Sequence, residues 1–287
     1  MPIGVIIFEF DPLLRLTGGI VVRWQTAALV VIVATGLIVA GLSARRNGLR
    51  ADDLLFIAVA TVPGAVIGGR LGYVLLHLDY YRVHLEAIPD PGQGSLELAL
   101  AVVGGLLSGA YVAVLLGAPV DRWLRTVTLP LLFVLGAGKL AMLLEGAGQG
   151  QPADLPWATA YLGPGPWASL GSDVPSHPSQ AYEGIAILLV LAFITVALAV
   201  DAIGGRDGRL FLGAFGTVAV IRAIAALTWR DPAVVAGLNG GTLIAAAVAI
   251  GCAVAWVATA RQRDRSPARA GETHDVTWAD PETRPRF

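Results

Sequence analysis

The chain contains one cysteine, one lysine and little charge of either sign. A lone Cys252 inside an apolar run excludes an intrachain disulfide framework and any thiolate metal cluster. Charged residues make up 14% of the 287 positions, where soluble globular chains carry roughly 25%. That shortage excludes an ordinary cytosolic enzyme and a disordered chain. With a formal net charge of -1, nothing draws the chain as a whole to nucleic acid or to an acidic partner. Hydrophobic residues fill the space instead, at 55% of the sequence. This is the composition of an integral membrane protein.

A helix needs about 20 apolar residues to cross roughly 30 Å of hydrocarbon. Seven stretches qualify: Ile20–Leu42, Leu54–Leu76, Leu96–Leu116, Leu124–Leu144, Ala181–Ala202, Leu210–Leu227 and Val234–Ala258. The expected fold is therefore an all-α integral membrane protein with seven transmembrane helices spanning residues 1–260. Alternate connections carry Arg45, Arg46 and Arg50, then Arg122 and Arg125, then Arg206 and Arg209, then Arg261, Arg263, Arg265 and Arg269. The opposite set holds only Arg15, Arg82 and Arg230. Positive charge gathers on the cytoplasmic side, so the N-terminus is expected outside and the C-terminus in the cytoplasm. The first residues lack a basic region and carry Glu9 and Asp11, unlike a cleaved signal peptide. They are expected to lie along the outer membrane surface. Residues 261–287 read as a disordered cytoplasmic tail.

The outer connection at 146–180 holds six Gly, six Pro, Trp157 and Trp167, and neither Lys nor Arg. A segment this long without periodicity is either functional or floppy, and both readings stand at this point. No internal repeat is visible, which gives an inverted-repeat transporter no support.

Charges within spans are costly and point to function. Arg70 lies deep in the second span, Lys139 in the fourth with Glu145 at its end, and Arg222 in the sixth. Arg23, at the outer end of the first, reads as a packing residue. Gly68, Gly69 and Gly72 surround Arg70, and Gly104, Gly105 and Gly109 form a small-residue face on the third span. Such faces allow close helix approach or leave room for a lipid. Where the outer connection enters the fifth span stands His177-Pro178-Ser179-Gln180-Ala181-Tyr182-Glu183. Pro178 suits a first helical turn, and the exposed N–H groups of such a turn can hold a phosphate.

These residues resemble the bacterial prolipoprotein diacylglyceryl transferases across residues 8–258. Phe10-Asp11-Pro12 with Val22-Arg23-Trp24 is similar to the family's opening, and Gly69-Arg70-Leu71-Gly72-Tyr73 to its Gly-Ala-Arg-x-Gly-Tyr motif. Gly104-Gly105-Leu106 resembles the end of its His-Gly-Gly-Leu segment, and residues 177–183 fit its His-Pro-Ser-Gln-x-Tyr-Glu signature. The resemblance implies transfer of a diacylglyceryl group from phosphatidylglycerol to the lipobox cysteine of a prolipoprotein, in a bacterial plasma (inner) membrane. It implies membrane lipids and prolipoprotein signal peptides as partners, and no metal or other cofactor. It also implies site roles. Arg70, with Arg222 or Lys139, would face the phosphate, and Gly104 and Gly105 would border the lipid. Glu145 would pair with one of those cations, and His177 with Gln180 would order the outer connection around the head group. His177 is the candidate base, with His77 a second.

The sequence departs from the family's pattern at several places. Val103 stands where the family has His, Gln25 where it has Tyr, and Ala137, Leu140 and Leu143 where its fourth-span Arg and Asn residues stand. An alternative therefore remains, a paralogue of the same fold that binds lipid or lipoprotein without catalysis. A small-solute permease is a more distant one.

Overall fold

A computed structural model describes residues 4–90, 95–203 and 208–271. Short strands β1 (Ile6–Phe8), β2 (Leu13–Arg15) and β3 (Val21–Arg23) precede α1 (Trp24–Arg46) and α2 (Ala51–Leu76). The short α3 (Leu78–Tyr81) and a single 3-10 turn at Leu85–Ala87 lead to α4 (Leu98–Leu115) and α5 (Val120–Ala141). β4 (Thr159–Tyr161), α6 (Ser179–Ala199) and α7 (Arg209–Ala226) follow. The hairpin β5 (Ala233–Val235) and β6 (Leu238–Asn239) then turns into α8 (Gly240–Gly271). Seven of these helices are long and apolar enough to cross a membrane, making this a mostly helical, multi-pass membrane protein. Their apolar faces stay exposed at Val30, Ile38, Phe56, Leu189, Phe193 and Ile250, as lipid-facing surfaces do.

Two expected spans begin later than hydropathy alone predicts, for one physical reason. Ile20–Val22 and Val234–Val235 are apolar and β-branched, so they extend a hydrophobic run without being helical. The first group pairs antiparallel in β2–β3. The second enters a hairpin whose two-residue turn, Ala236–Gly237, has positive φ at both positions (49° and 79°), the geometry that suits the strands' twist. Of the tail expected from Arg261, α8 carries the backbone on to Gly271, and residues 272–287 lie outside the described residues, as does Arg206.

The helices pack around α5 and α7. Leu132 of α5, Ile187 and Ile194 of α6, and Phe211, Phe215 and Val218 of α7 form one buried cluster. The other tight contact joins α2 to α4. A Cβ on Gly104 would collide with the Gly64 carbonyl, and one on Gly68 with the Leu100 carbonyl. Only glycine lets these backbones approach so closely. α4 starts on its own cap: Glu97 accepts the N–H groups of Ala99 (2.9 Å) and Leu100 (2.7 Å).

The connection at 146–180 is an ordered cap. β1 runs parallel to β4, with Ile6 opposite Thr159 and Phe8 opposite Tyr161. Further bridges join Ser176 to Pro152 and Thr159. Phe8 stacks on Tyr161 at 4.9 Å between ring centroids, and Trp167 meets both Tyr161 (5.0 Å) and Phe10 (5.4 Å). Arg230, in the α7–α8 connection, donates to the Gly150 carbonyl at 2.6 Å and to Ser176 Oγ at 2.9 Å. The cap is thus tied to the N-terminus on one side and to the last helical pair on the other.

Candidate active site

Beneath the cap, four charged side chains from four helices meet in the bundle. Glu183, one turn into α6, receives Lys139 Nζ of α5 on Oε2 at 2.7 Å and Arg222 Nη1 of α7 on Oε1 at 3.0 Å. Arg222 Nη2 reaches Glu97 Oε1, at the head of α4, at 2.9 Å. All four residues are buried. Two cations and two carboxylates balance, which is how such charges survive away from water. The Glu97 N–H also donates to the Gly69 carbonyl at 2.8 Å, so α2 joins through its backbone. The Trp229 ring lies over both cations, 4.7 Å from the Arg222 guanidinium and 5.7 Å from Lys139 Nζ.

Two atoms here are left over. Arg222 Nε and Gln180 Oε1 are buried without a hydrogen-bond partner. A buried polar atom without a partner costs about 1–3 kcal/mol, so the unmatched donor on α7 and the unmatched acceptor on α6 each suit a ligand group of the opposite kind. Gln180 lies one turn before Glu183 on α6, and its Nε2 donates to Tyr161 Oη at 3.3 Å. Burial pushes the Tyr161 phenol up to about 12, against a partial offset from the Gln180 hydrogen bond.

Apolar surface leads to this point. Arg222 and Glu183 wall a narrow crevice with Leu98, Val102 and Phe215. Phe215 also lines a groove of about 700 Å³ bounded by Leu100 and Leu106 of α4 and by Val248 and Cys252 of α8. The groove and the crevice that Arg222 walls thus adjoin at Phe215.

The expected site residues divide. Lys139, Arg222 and Gln180 come together around Glu183. His177 sits half-buried at the rim, with Nδ1 3.3 Å from Tyr182 Oη, which also accepts from Trp157 Nε1 at 2.8 Å. The peptide groups of His177 pair with Gln151 (2.9 Å) and Gly150 (2.8 Å) of the cap. Arg70 is turned to the α2–α4 connection, where Nε and Nη2 donate to the carbonyls of Ile88 (2.7 Å) and Ala87 (2.5 Å) beneath the Tyr73 and Tyr81 rings.

Two expectations need correction. Glu145 does not join the Lys139–Arg222 network; it binds Arg23 Nη1 at 3.0 Å, because a 3-10 turn at Met142–Leu144 follows α5 and leaves it beside the start of the first helix. Arg23, read as a packing residue, is the partner that places it. Gly104 and Gly105 are consumed by the α2 contact, against Gly64, Gly68 and Thr61, rather than bordering an open lipid face. Sequence reasoning passed over Glu97 and Trp229, and it quoted Glu183 within the 177–183 signature without giving it a role in the site. The signal for the carboxylates was present: buried cations on the fourth and sixth spans need buried anions.

Comparison with known proteins covers the same ground. The model of the prolipoprotein diacylglyceryl transferase family matches residues 12–258. A Nitrobacter hamburgensis protein named phosphatidylglycerol–prolipoprotein diacylglyceryl transferase is 32% identical, with 93% of this chain and 95% of that protein aligned. Proteins of the same name from Gluconobacter oxydans and Bordetella avium are 31% and 29% identical, over 91% and 90% of this chain. With the match running from Pro12, before the first helix, to Ala258 in the last, the chain belongs to the prolipoprotein diacylglyceryl transferase family.

Proposed function

We propose that this chain transfers the diacylglyceryl group of phosphatidylglycerol to the lipobox cysteine of prolipoproteins. The observation that carries the reading is an apolar groove that adjoins, at Phe215, the crevice walled by the buried Arg222, whose Nε has no protein partner. The acyl chains occupy the groove between α4, α7 and α8, and the phosphate lies toward Arg222 and Lys139. The head-group glycerol supplies the hydroxyl donor that Gln180 Oε1 lacks.

The thiolate sulfur attacks the terminal glyceryl carbon, the S–C bond forms, and the C–O bond to phosphate breaks. Glycerol phosphate leaves with the electron pair, and the cation pair stabilises the charge that gathers on its oxygens. The thiol proton goes to His177: with Nδ1–H donated to Tyr182 Oη, Nε2 keeps a lone pair. Arg70 and Glu145 act as positioning residues, the first on the α2–α4 connection and the second on the start of α1.

The arginine distribution puts the cap and His177 outside, where a prolipoprotein delivered across a bacterial inner membrane presents its signal peptide. The non-catalytic alternative rested on apolar residues such as Ala137 and Val103 at motif positions. It has no support, since Lys139, Arg222, Glu183 and Glu97 retain a charged centre and the relatives carry a transferase name over nearly their whole length.

Expression in a bacterium depleted of its own transferase tests the proposal. Restored lipidation, seen as the mobility shift of a prolipoprotein, is expected, and Arg222→Ala and His177→Ala abolish it. Accumulation of unmodified precursor at full expression of the unaltered chain overturns it.

A further inference from the structure

The end of the bundle opposite the cap holds a second, different concentration of arginine. Arg46, at the last turn of α1, and Arg122 and Arg125, in the first turns of α5, line one cleft of about 630 Å³ with Asn47, Gly48 and Thr126. Among the described residues, no carboxylate lines it. The nearby Asp53 is taken by Arg50 at 3.9 Å, and Asp121 is exposed outside the lining. The central site pairs two cations with two carboxylates; among the described residues, this cleft has three cations and no anion.

We infer that this cleft is a phosphate-binding site, separate from the transferase centre, that takes the phosphate of an anionic lipid head group or free phosphate. Three observations converge. Arg125 Nη1 is buried within the fold and has no hydrogen-bond partner. Arg122 and Arg125 stand at the start of α5, where the helix dipole opposes cations and favours an anion. The frame is rigid before any ligand arrives: Arg122 Nη2 donates to the Asn47 carbonyl (2.5 Å), Asn47 Nδ2 to Thr126 Oγ1 (3.1 Å), and Thr126 Oγ1 back to the Arg122 carbonyl (2.8 Å). Gly48, at φ 66°, closes α1 and brings its chain against Arg122.

Guanidinium groups present paired donors that match phosphate oxygens two at a time. A phosphate in the cleft would give Arg125 the acceptor it lacks and would join the α1–α2 connection to the start of α5. Each half of the cleft comes from a different helix, so binding links the two.

The test uses the full-length protein in phosphate-free detergent, titrated with inorganic phosphate and with dihexanoylphosphatidic acid and followed by thermal shift. Saturable stabilisation by at least one of the two is expected. Arg125→Gln and Arg122→Gln each weaken it about tenfold. Arg45→Gln, which removes an equal exposed charge outside the cleft, changes it less than about twofold. A response to the lipid alone assigns the site to a head group, and an equal response to both assigns it to free phosphate. Arg122 is exposed, so its variant keeps the test valid if Arg125→Gln fails to fold. Absence of saturable binding to either ligand, or an Arg45→Gln effect equal to that of Arg122→Gln, overturns the inference.

Discussion

Lys139 and Arg222 lie against the same carboxylate and beneath the same indole ring, although they come from different helices. Two like charges so placed repel unless the acids between and beside them stay ionised. Glu183 separates them and Glu97 draws Arg222 away. The four side chains form one unit whose parts cannot be removed singly at low cost.

That coupling is measurable. Lys139→Met should destabilise the protein by about 3 kcal/mol, the scale for stripping one partner from a buried pair. In a cycle with Glu183→Gln, equilibrium unfolding in micelles should show an interaction of about 1–3 kcal/mol. Simple additivity would contradict the unit.

Glu97 has two duties, capping α4 and holding Arg222. Glu97→Gln keeps an oxygen for the cap but loses the charge. It should leave helix content by circular dichroism unchanged while lowering lipidation activity at least about tenfold. Glu97→Ala should lose stability as well, by about 1 kcal/mol for the cap alone.

Arg70 fastens the α2–α4 connection through the Ala87 and Ile88 carbonyls. Replacing it with Ala should free that segment, and trypsin offers a direct reading because exposed Arg82 lies within it. Cleavage after Arg82 should accelerate several-fold over the unaltered chain. An unchanged digestion rate would mean the connection is held by other contacts.

The glycines separate by environment. Gly104→Ala drives a methyl into the Gly64 carbonyl and should cost about 1–3 kcal/mol. Gly213→Ala, on α7 with nothing nearby, should be neutral or stabilising by up to about 1 kcal/mol. Thermal midpoints of the two variants in one detergent test the contrast.

Tyr161 gives the cap an alkaline limit. Its phenol is pushed up to about 12 by burial, from 10 in the unfolded chain. The folded form therefore holds its proton longer, and this stability is complete below pH about 10 and lost as pH rises through about 12. The unaltered protein should lose thermal stability across that window, and Tyr161→Phe should flatten the loss.

The seven helices were legible because lipid-facing residues must be apolar along their whole length, and Phe56 or Phe193 announce themselves. The hairpins before α1 and α8 were not, since Val21–Val22 and Val234–Val235 are as apolar as the helices they precede and only tertiary pairing sets them apart. In the site, Lys139 and Arg222 stood out as charges in hydrocarbon. Glu97 did not, because it sits beside a polar connection where an acid looks ordinary, and Glu183 stood out only as the last residue of a signature, with nothing to say which cations it holds. The pairing of Glu145 with Arg23 spans 122 residues, and no local pattern encodes it. Lost motif residues at Ala137 and Leu140 could be read directly, whereas the network that accompanies those losses exists only in three dimensions.

The parallel pairing of β1 with β4 also constrains when the protein can finish folding. Its first strand meets a partner that is synthesised only after five of the eight helices, so Phe8 has no Tyr161 ring to stack on until that strand has been made. The cap is then tied down by Arg230, later still in synthesis. A bulky fusion ahead of Ile6 would interfere with this last closure while leaving helix insertion untouched, giving a chain that is fully embedded and yet open at its capped end.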